Sequence, residues 1–134
     1  MPKAEGKIFS FAKESEIKTN FLETINYSGL EQEIIYETKE FNALCPFSGL
    51  PDIGQLIITY YPNKKIIELK SLKYYLTSFR NVGIYQEAAT NRIYNDLWLR
   101  INPKKIVIKT VYNIRGGISS TCTIDSEKLK NKPK

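Results

Sequence analysis

The chain has 134 residues, of which 42% are hydrophobic and 12% aromatic, a composition that suits one folded domain and argues against disorder. It contains no histidine, which excludes Ser-His-Asp and Cys-His catalysis and zinc sites built on imidazole, and its two distant cysteines argue against any catalytic metal. The net charge is +6, the cysteines form no disulfide framework, and no apolar run resembles a signal peptide or a membrane span, so we expect a cytoplasmic protein with reduced thiols.

The first part of the chain predicts an arm followed by two strands. Residues 1–28 are polar and weakly periodic, and we interpret them as an N-terminal arm with little independent structure. Alternating side chains predict a strand over residues 31–41, in which Ile35 and Phe41 share one face. Isoleucine and tyrosine are frequent in residues 55–61, which predicts a second strand.

The periodicity changes from that of a strand to that of a helix after a short extended segment at residues 66–68. Apolar residues at helical spacing predict a first helix over residues 70–79. Ile93, Leu97 and Ile101 recur every four residues and predict a second helix of about four turns. Two further strands follow, at residues 106–112 and 119–124.

This order of elements predicts an α+β domain over residues 29–126, with a four-stranded antiparallel sheet and both helices on one face. We interpret residues 127–134 as a basic C-terminal tail. A sheet of this kind has open edges that a protein of this size must cover. We therefore expect self-association into a ring or stacked assembly, which would allow two subunits to share an active site.

The run from Ala43 to Asp52 carries the most chemical information in the chain. Proline restricts the preceding residue to extended conformations, so Pro46 holds the Cys45 backbone without help from regular structure. Asp52 follows across a Gly/Pro turn, and the pair has the layout of a nucleophile and its proton donor. On spacing alone, a packed structural thiol and a turn aspartate would explain the same residues.

Three segments of the chain together resemble a known family. They are Cys45-Pro46 with Asp52, Glu68-Leu69-Lys70-Ser71-Leu72-Lys73-Tyr74-Tyr75, and Phe79-Arg80-Asn81 leading to Gln86-Glu87. The segments resemble the NADPH-dependent 7-cyano-7-deazaguanine reductases, the nitrile reductases of queuosine biosynthesis, in their single-domain form. The resemblance covers most of the chain and implies the tunnelling fold, ββααββ, which agrees with the predicted order. It also implies a decamer of two stacked rings with a small-molecule substrate and no direct contact with nucleic acid.

The resemblance implies a catalytic role for two residues. The Cys45 thiolate would attack the nitrile carbon of 7-cyano-7-deazaguanine to form a covalent thioimide. Asp52 would be the general acid that protonates the nitrile nitrogen. Hydride transfers from NADPH would then yield an imine and finally the primary amine, 7-aminomethyl-7-deazaguanine.

The same resemblance implies the residues that bind the base and the cofactor. Glu87 would accept the paired N–H donors of the deazaguanine. The other residues expected at the base are Ile67, Glu68, Leu69 and Gln86. The residues expected at the dinucleotide phosphates are Lys70, Ser71, Lys73, Arg115 and Gly116. No Gly-x-Gly-x-x-Gly motif occurs, so this binding would not be of the Rossmann type.

One position departs from the family pattern. The family usually has histidine before the anchoring glutamate, and this chain has Gln86. Glutamine can hydrogen-bond the substrate but cannot shuttle a proton at neutral pH. We therefore expect slower turnover or an altered pH profile, with the anchoring role of Glu87 retained.

Two other functions stay open. A reductase-like amidinotransferase would keep the cysteine and aspartate but act on the nitrile in tRNA with an amine donor, and the intact Lys70-Ser71 signature argues against it. A non-catalytic RNA-binding module would account for the net positive charge, and its affinity would fall steeply with salt. Cys122, in an alternating strand, is interpreted as a packed thiol rather than a second nucleophile.

Overall fold

The computed structural model describes residue 3 and residues 5–129. In chain order, the strands and α-helices of this part are β1 Thr24–Asn26, β2 Ile34–Leu44, β3 Pro51–Tyr61, β4 Lys65–Ile67, α1 Leu69–Thr77, α2 Gln86–Ile101, β5 Lys105–Arg115 and β6 Ile118–Asp125. Short 3-10 turns cover Glu14–Glu16, Thr19–Phe21 and Ser126–Lys128. Three lysines of the predicted basic tail, Lys130, Lys132 and Lys134, lie outside the described residues.

The main sheet has four antiparallel strands in the order β2, β3, β5, β6. Helix α2 packs on β5 and β6, and α1 packs against β2. The α+β class and the ββααββ order of the predicted domain are therefore confirmed. The core between sheet and helices contains fully buried side chains from both layers, among them Ile58, Ile93, Leu97 and Ile108.

Strand β2 departs from the predicted alternation at a bulge. Its pairing with β3 shifts between Thr38 and Phe41, so that two residues of β2 face one residue of β3. An extra residue moves every following side chain to the opposite face. Phe41 therefore points into the core, 2% exposed, and not to the face of the exposed Ile35, as the alternation predicted.

The N-terminal segment contains more structure than the sequence predicts. Strand β1 pairs antiparallel with β4 to form a second, two-stranded sheet. Ile17 and Leu22 are buried in the core, and the Thr19 hydroxyl donates a hydrogen bond to Asp96 of α2 at 3.1 Å. These contacts join residues far apart in the chain and leave no local periodicity, which is why the pattern of residues 1–28 did not reveal them.

The observed elements extend beyond the predicted limits in two places, of which the first affects the site. Strand β3 begins at Pro51 rather than at residue 55, so Asp52 lies in a strand and not in a loop. At the C-terminal end of the domain, a 3-10 turn covers Ser126–Lys128. The buried Ser126 hydroxyl joins this turn to β5 by accepting a hydrogen bond from the Ile106 N–H at 3.0 Å. Within the described residues, no helix combines the length and the apolar character needed to cross a membrane.

Candidate active site

Polar residues of three neighbouring strands meet at one end of the sheet, on the face that the helices cover. Along β3, Asp52 shares this face with the buried Gly54. Gly54 pairs with Tyr112 of β5, and Tyr112 pairs with Ser120 of β6. The site is therefore assembled by strand register across the sheet.

The loop that follows β2 holds Cys45 in place. The Cys45 N–H donates to the Leu50 carbonyl at 2.8 Å, and the Cys45 carbonyl accepts from the Gly49 N–H at 2.9 Å. Gly49 has φ +74°, a conformation that favours glycine, and a Cβ at this position would collide with the Phe9 carbonyl. The loop is thus closed on itself and supported from behind by the N-terminal segment, where the Phe9 N–H donates to the Ser48 carbonyl at 2.9 Å.

The same loop favours the thiolate form of Cys45. The N–H of Ser48 contributes most, the Ser48 hydroxyl and the Phe47 N–H add to it, and together they lower the pKa of the Cys45 thiol below its usual value. Burial and the negative charge of Asp52 oppose this effect and are weaker. A lowered pKa raises the fraction of thiolate at neutral pH, and the thiolate is the nucleophilic form.

Asp52 lies close to Cys45 across the β2–β3 hairpin. It pairs with Ala43, two residues before the cysteine, and its side chain is 15% exposed. Arg115, at the end of β5, forms an ion pair with the Asp52 carboxylate and donates to the Pro51 carbonyl at 2.6 Å. Arg115 was predicted at a cofactor phosphate, and the structure places it against the predicted proton donor of its own chain.

Helix α2 begins beside the Cys45 loop. The Leu44 N–H donates to the Val82 carbonyl at 2.9 Å, and the Ile84 N–H donates to the Leu44 carbonyl at 3.0 Å. The segment before α2 therefore runs alongside the end of β2. The rings of Phe47 and Tyr85 meet edge to face, with centroids 5.9 Å apart, and connect the loop to the helix start.

Gln86 and Glu87 form the first turn of α2. The Gln86 side-chain amide donates to the Ser120 carbonyl at 3.0 Å and fixes the helix start over β6. Glu87 is exposed. Burial, followed by the negative charge of Glu87, raises the pKa of the Cys122 thiol, so the pKa values of the two cysteines are shifted in opposite directions. This shift agrees with the interpretation of Cys122 as a packed thiol.

The predicted residues around the start of α1 follow the far end of β3. The Ile67 N–H donates to the Tyr60 hydroxyl at 3.1 Å. Tyr60 shares a face with Asp52 on the same strand, and the eight residue steps between them span about 26 Å. The predicted positions Ile67, Glu68 and Leu69 are therefore not brought to Cys45 within one chain, whereas Lys73, further along α1, lines a pocket with Phe41 and Asn42 of β2.

The start of α1 offers lysine side chains to a phosphate rather than free N–H groups. The Glu68 carboxylate caps the helix and accepts from the N–H groups of Lys70 at 2.6 Å and Ser71 at 3.2 Å. Ser71 is 4% exposed, and its hydroxyl donates to the Glu68 carbonyl and accepts from the Glu23 N–H. Lys70 and Lys73 are exposed, so their charges fit the phosphates of a dinucleotide, whereas Ser71 has a structural role.

Two residues at this site were not predicted from the sequence. Ser48 stabilises the Cys45 thiolate, and its position three residues after the cysteine was a signal that could have been used. Tyr112 places a buried hydroxyl at the site, and only the strand register reveals this placement.

Gly116, which was predicted at a cofactor phosphate, has φ +55°, and the space around its Cα is open, so it forms no cradle in this chain.

The fold and site define a class: an α+β protein with an activated cysteine and a neighbouring carboxylate, as in enzymes that use a thiolate nucleophile. Residues 51–131 match the family model described as QueF-like protein. Over 127 residues the chain is 58% identical to proteins of Thermotoga maritima and Thermotoga petrophila, each named NADPH-dependent 7-cyano-7-deazaguanine reductase. Each match covers 94% of this chain and 93% of the relative. The chain belongs to the QueF-like family, and the resemblance noted in the sequence is confirmed.

One further relative agrees with this assignment, and one solved structure shares the fold. A Caldicellulosiruptor bescii protein with the same name is 48% identical over 115 residues, with 84% of this chain and 88% of the relative covered. The crystal structure of the archaeosine synthase QueF-Like in the apo form matches with a TM-score of 0.66 and covers 72% of this chain and 95% of its own. At 16% sequence identity, this likeness shows the fold alone.

Proposed function

We propose that the chain is an NADPH-dependent 7-cyano-7-deazaguanine reductase and that Cys45 is its nucleophile. The observation that carries the proposal is the Cys45 loop, in which Ser48 and the Phe47 N–H lower the pKa of the thiol. Asp52 lies across the hairpin from this loop, in the position of a proton donor. The names of the relatives supply the substrate and the cofactor.

In the first step, the Cys45 thiolate forms a C–S bond to the nitrile carbon as one C≡N electron pair moves to nitrogen. Asp52, whose carboxylate pairs with Arg115, receives a proton from water and passes it to that nitrogen, which leaves a neutral thioimide on Cys45. NADPH, when bound, supplies the hydride equivalents that reduce this carbon to the primary amine, during which Cys45 departs as a thiolate. The Ser48 N–H and hydroxyl stabilise that thiolate again at the end of the cycle.

The base is held by Glu87, whose carboxylate accepts from the N1–H and the exocyclic amine of the deazaguanine. Gln86, through its hydrogen bond to Ser120, keeps the first turn of α2 in place. Because Gln86 cannot transfer a proton at neutral pH, the protons of the second reduction come from Asp52 or from water.

The active site is shared between chains. Lys70 and Lys73 hold the cofactor phosphates, with Ile67, Glu68 and Leu69 at the base. Ile67 contacts Tyr60, which lies about 26 Å along β3 from Asp52. A homo-oligomer, a decamer of two stacked rings as the resemblance implies, would bring the α1 start of one chain to the Cys45 loop of another. We place this assembly in the cytoplasm, where its thiols stay reduced.

Complementation between inactive variants tests the shared site. Cys45→Ala and Lys70→Ala proteins are unfolded together and refolded as a mixture. If two chains form one site, the mixture regains activity, because some interfaces combine an intact Cys45 with an intact Lys70. A mixture as inactive as its components would contradict sharing and leave the reductase assignment untouched.

The reductase assignment itself is tested by the loss of NADPH absorbance on addition of 7-cyano-7-deazaguanine. We expect two NADPH oxidised per nitrile, no oxidation with Cys45→Ala, and near-normal oxidation with the matched variant Cys122→Ala. A covalent adduct on Cys45 without NADPH oxidation would overturn the reductase and favour amidine formation on tRNA. Salt-sensitive RNA binding without either reaction would favour the RNA-binding module.

A further inference from the structure

Tyr112 has a polar group that the mechanism above does not use. The residue is 8% exposed, and its hydroxyl has no hydrogen-bond partner in the part of the chain that the structure describes. A buried hydroxyl without a partner costs about 1–3 kcal/mol of desolvation. Such groups are rare in native proteins and are often found where a ligand or catalysis needs them.

The backbone around Tyr112 is arranged to admit its ring. Tyr112 pairs with Gly54, and a Cβ on that glycine would lie 2.9 Å from both the Cα and the Cδ1 of Tyr112. No side chain other than hydrogen leaves that space free. Phe41 of β2 also pairs with Gly54, and its ring centroid lies 6.4 Å from that of Tyr112. The two rings therefore meet over the glycine.

The Tyr112 hydroxyl lies between the proposed proton donor and the proposed base anchor. Asp52 is two residues from Gly54 on the same face, so it is a diagonal neighbour of Tyr112. Ser120, directly opposite Tyr112 on β6, receives the hydrogen bond from Gln86 at the start of α2. Burial and the charges of Asp52, Cys122 and Glu87 raise the pKa of Tyr112, so at neutral pH it is an uncharged donor.

The substrate presents an acceptor at the corresponding place. Around the edge of 7-cyano-7-deazaguanine, the exocyclic amine and N1–H come first, the 6-oxo group follows, and the nitrile on C7 comes next. Glu87 would hold the first two groups, and Cys45 and Asp52 would act on the last. The 6-oxo group between them needs a hydrogen-bond donor, since its burial without one would weaken binding.

We propose that Tyr112 is a substrate-binding residue whose hydroxyl donates a hydrogen bond to the 6-oxo group of the bound deazaguanine. This role rests on the proposed function and adds specificity to it. The hydrogen bond selects a 6-oxo base over a base with a weaker acceptor at that position. It also fixes the ring so that the nitrile carbon points to Cys45.

The test compares two bases in proteins that bind but do not react. In a Cys45→Ala background, calorimetry measures the dissociation constants of 7-cyano-7-deazaguanine and its 6-thio analogue, which keeps N1–H but has a poor acceptor. We expect Tyr112→Phe to weaken binding of the 6-oxo compound roughly tenfold and to abolish the preference for it. The matched change is Tyr94→Phe, whose hydroxyl lies beside Asp125 and Ser126 at the other end of the sheet, and it should change neither value.

The outcomes separate this proposal from the reductase assignment. If the Tyr112→Phe variant binds the 6-oxo base as tightly as its parent, or keeps the preference for that base, the proposed role of Tyr112 is wrong and the reductase assignment is unaffected. If Tyr112→Phe does not fold, the affinities of the Cys45→Ala parent for the two bases provide the test. Equal affinity for both bases overturns the proposal, and a preference for the 6-oxo base supports it. A parent that binds neither compound and an intact chain that oxidises no NADPH overturn both.

Discussion

The thiolate of Cys45 depends on Ser48, and Ser48→Ala measures how much. The substitution removes the hydroxyl and keeps the backbone N–H, which is the larger of the two Ser48 contributions. Because hydrogen bonds to the thiolate lower the pKa of Cys45, removing one raises it. At any pH below the midpoint of the titration, the fraction of thiolate therefore falls.

The size of the effect follows from the strength of one hydrogen bond to a charged group, about 1.5–3 kcal/mol. Sulfur is a weak acceptor and Cys45 is partly exposed, so we expect about 1 kcal/mol, or roughly a fivefold loss of thiolate at low pH. A less acidic thiol is also a better nucleophile, by about twofold for this change. The net rate with a disulfide reagent should fall about 2.5-fold at low pH and rise about twofold at high pH.

The assay is the pH dependence of the rate at which Cys45 reacts with an aromatic disulfide. It is run in a Cys122→Ala background, so that Cys45 is the one thiol that reacts. The rate curves of the parent and of Ser48→Ala should cross. Ser48→Thr, which keeps a hydroxyl, should follow the parent. Coinciding curves would refute the role of the hydroxyl, and a uniform slowing at all pH values would indicate a disturbed loop instead.

Two further predictions concern stability. Gly49→Ala should lower the free energy of unfolding in urea by about 2 kcal/mol or more, because it combines a left-handed φ with a backbone collision. The matched Gly117→Ala, with φ +77° and open space, should lose only about 1 kcal/mol, and equal losses would contradict the collision. Tyr75→Phe removes the buried 2.6 Å hydrogen bond to Asp96 and should lower the free energy of unfolding by about 1.5–3 kcal/mol. Tyr85→Phe, at an exposed position, should leave it almost unchanged, and similar losses in the two variants would refute the reasoning.

The helices could be predicted because their signals are local. Ile93, Leu97 and Ile101 are all buried on one side of α2, as their spacing predicts. The helix ends at Ile101, and the next residue, Asn102, takes the left-handed conformation, φ 42°, that commonly follows a helix. Each of these features depends on residues within a few positions of one another.

The features that could not be predicted depend on which strands pair and in what register. The bulge before Phe41 is visible only in the pairing of β2 with β3. The pairing of β1 with β4 brings together segments about forty residues apart, and neither strand alone has enough residues to show alternation. The candidate site follows the same division, since Cys45 and Asp52 belong to one hairpin and were found, whereas Tyr112 arrives from β5 and was not.

The resemblance predicts which residues belong to the site but not how far apart they lie. In this chain, the length of β3 sets that distance. The strand carries Asp52 near one end and Tyr60, which holds the Ile67 backbone, near the other. Both residues point to the helix-covered face, so no local bend of a loop could bring the α1 start to the Cys45 thiol. The separation is set by the rise per residue of a strand, about 3.3 Å, and not by side-chain choice. Restoring activity by mixing chains is therefore the outcome that the geometry of this one strand demands, if the residues at both of its ends belong to one active site.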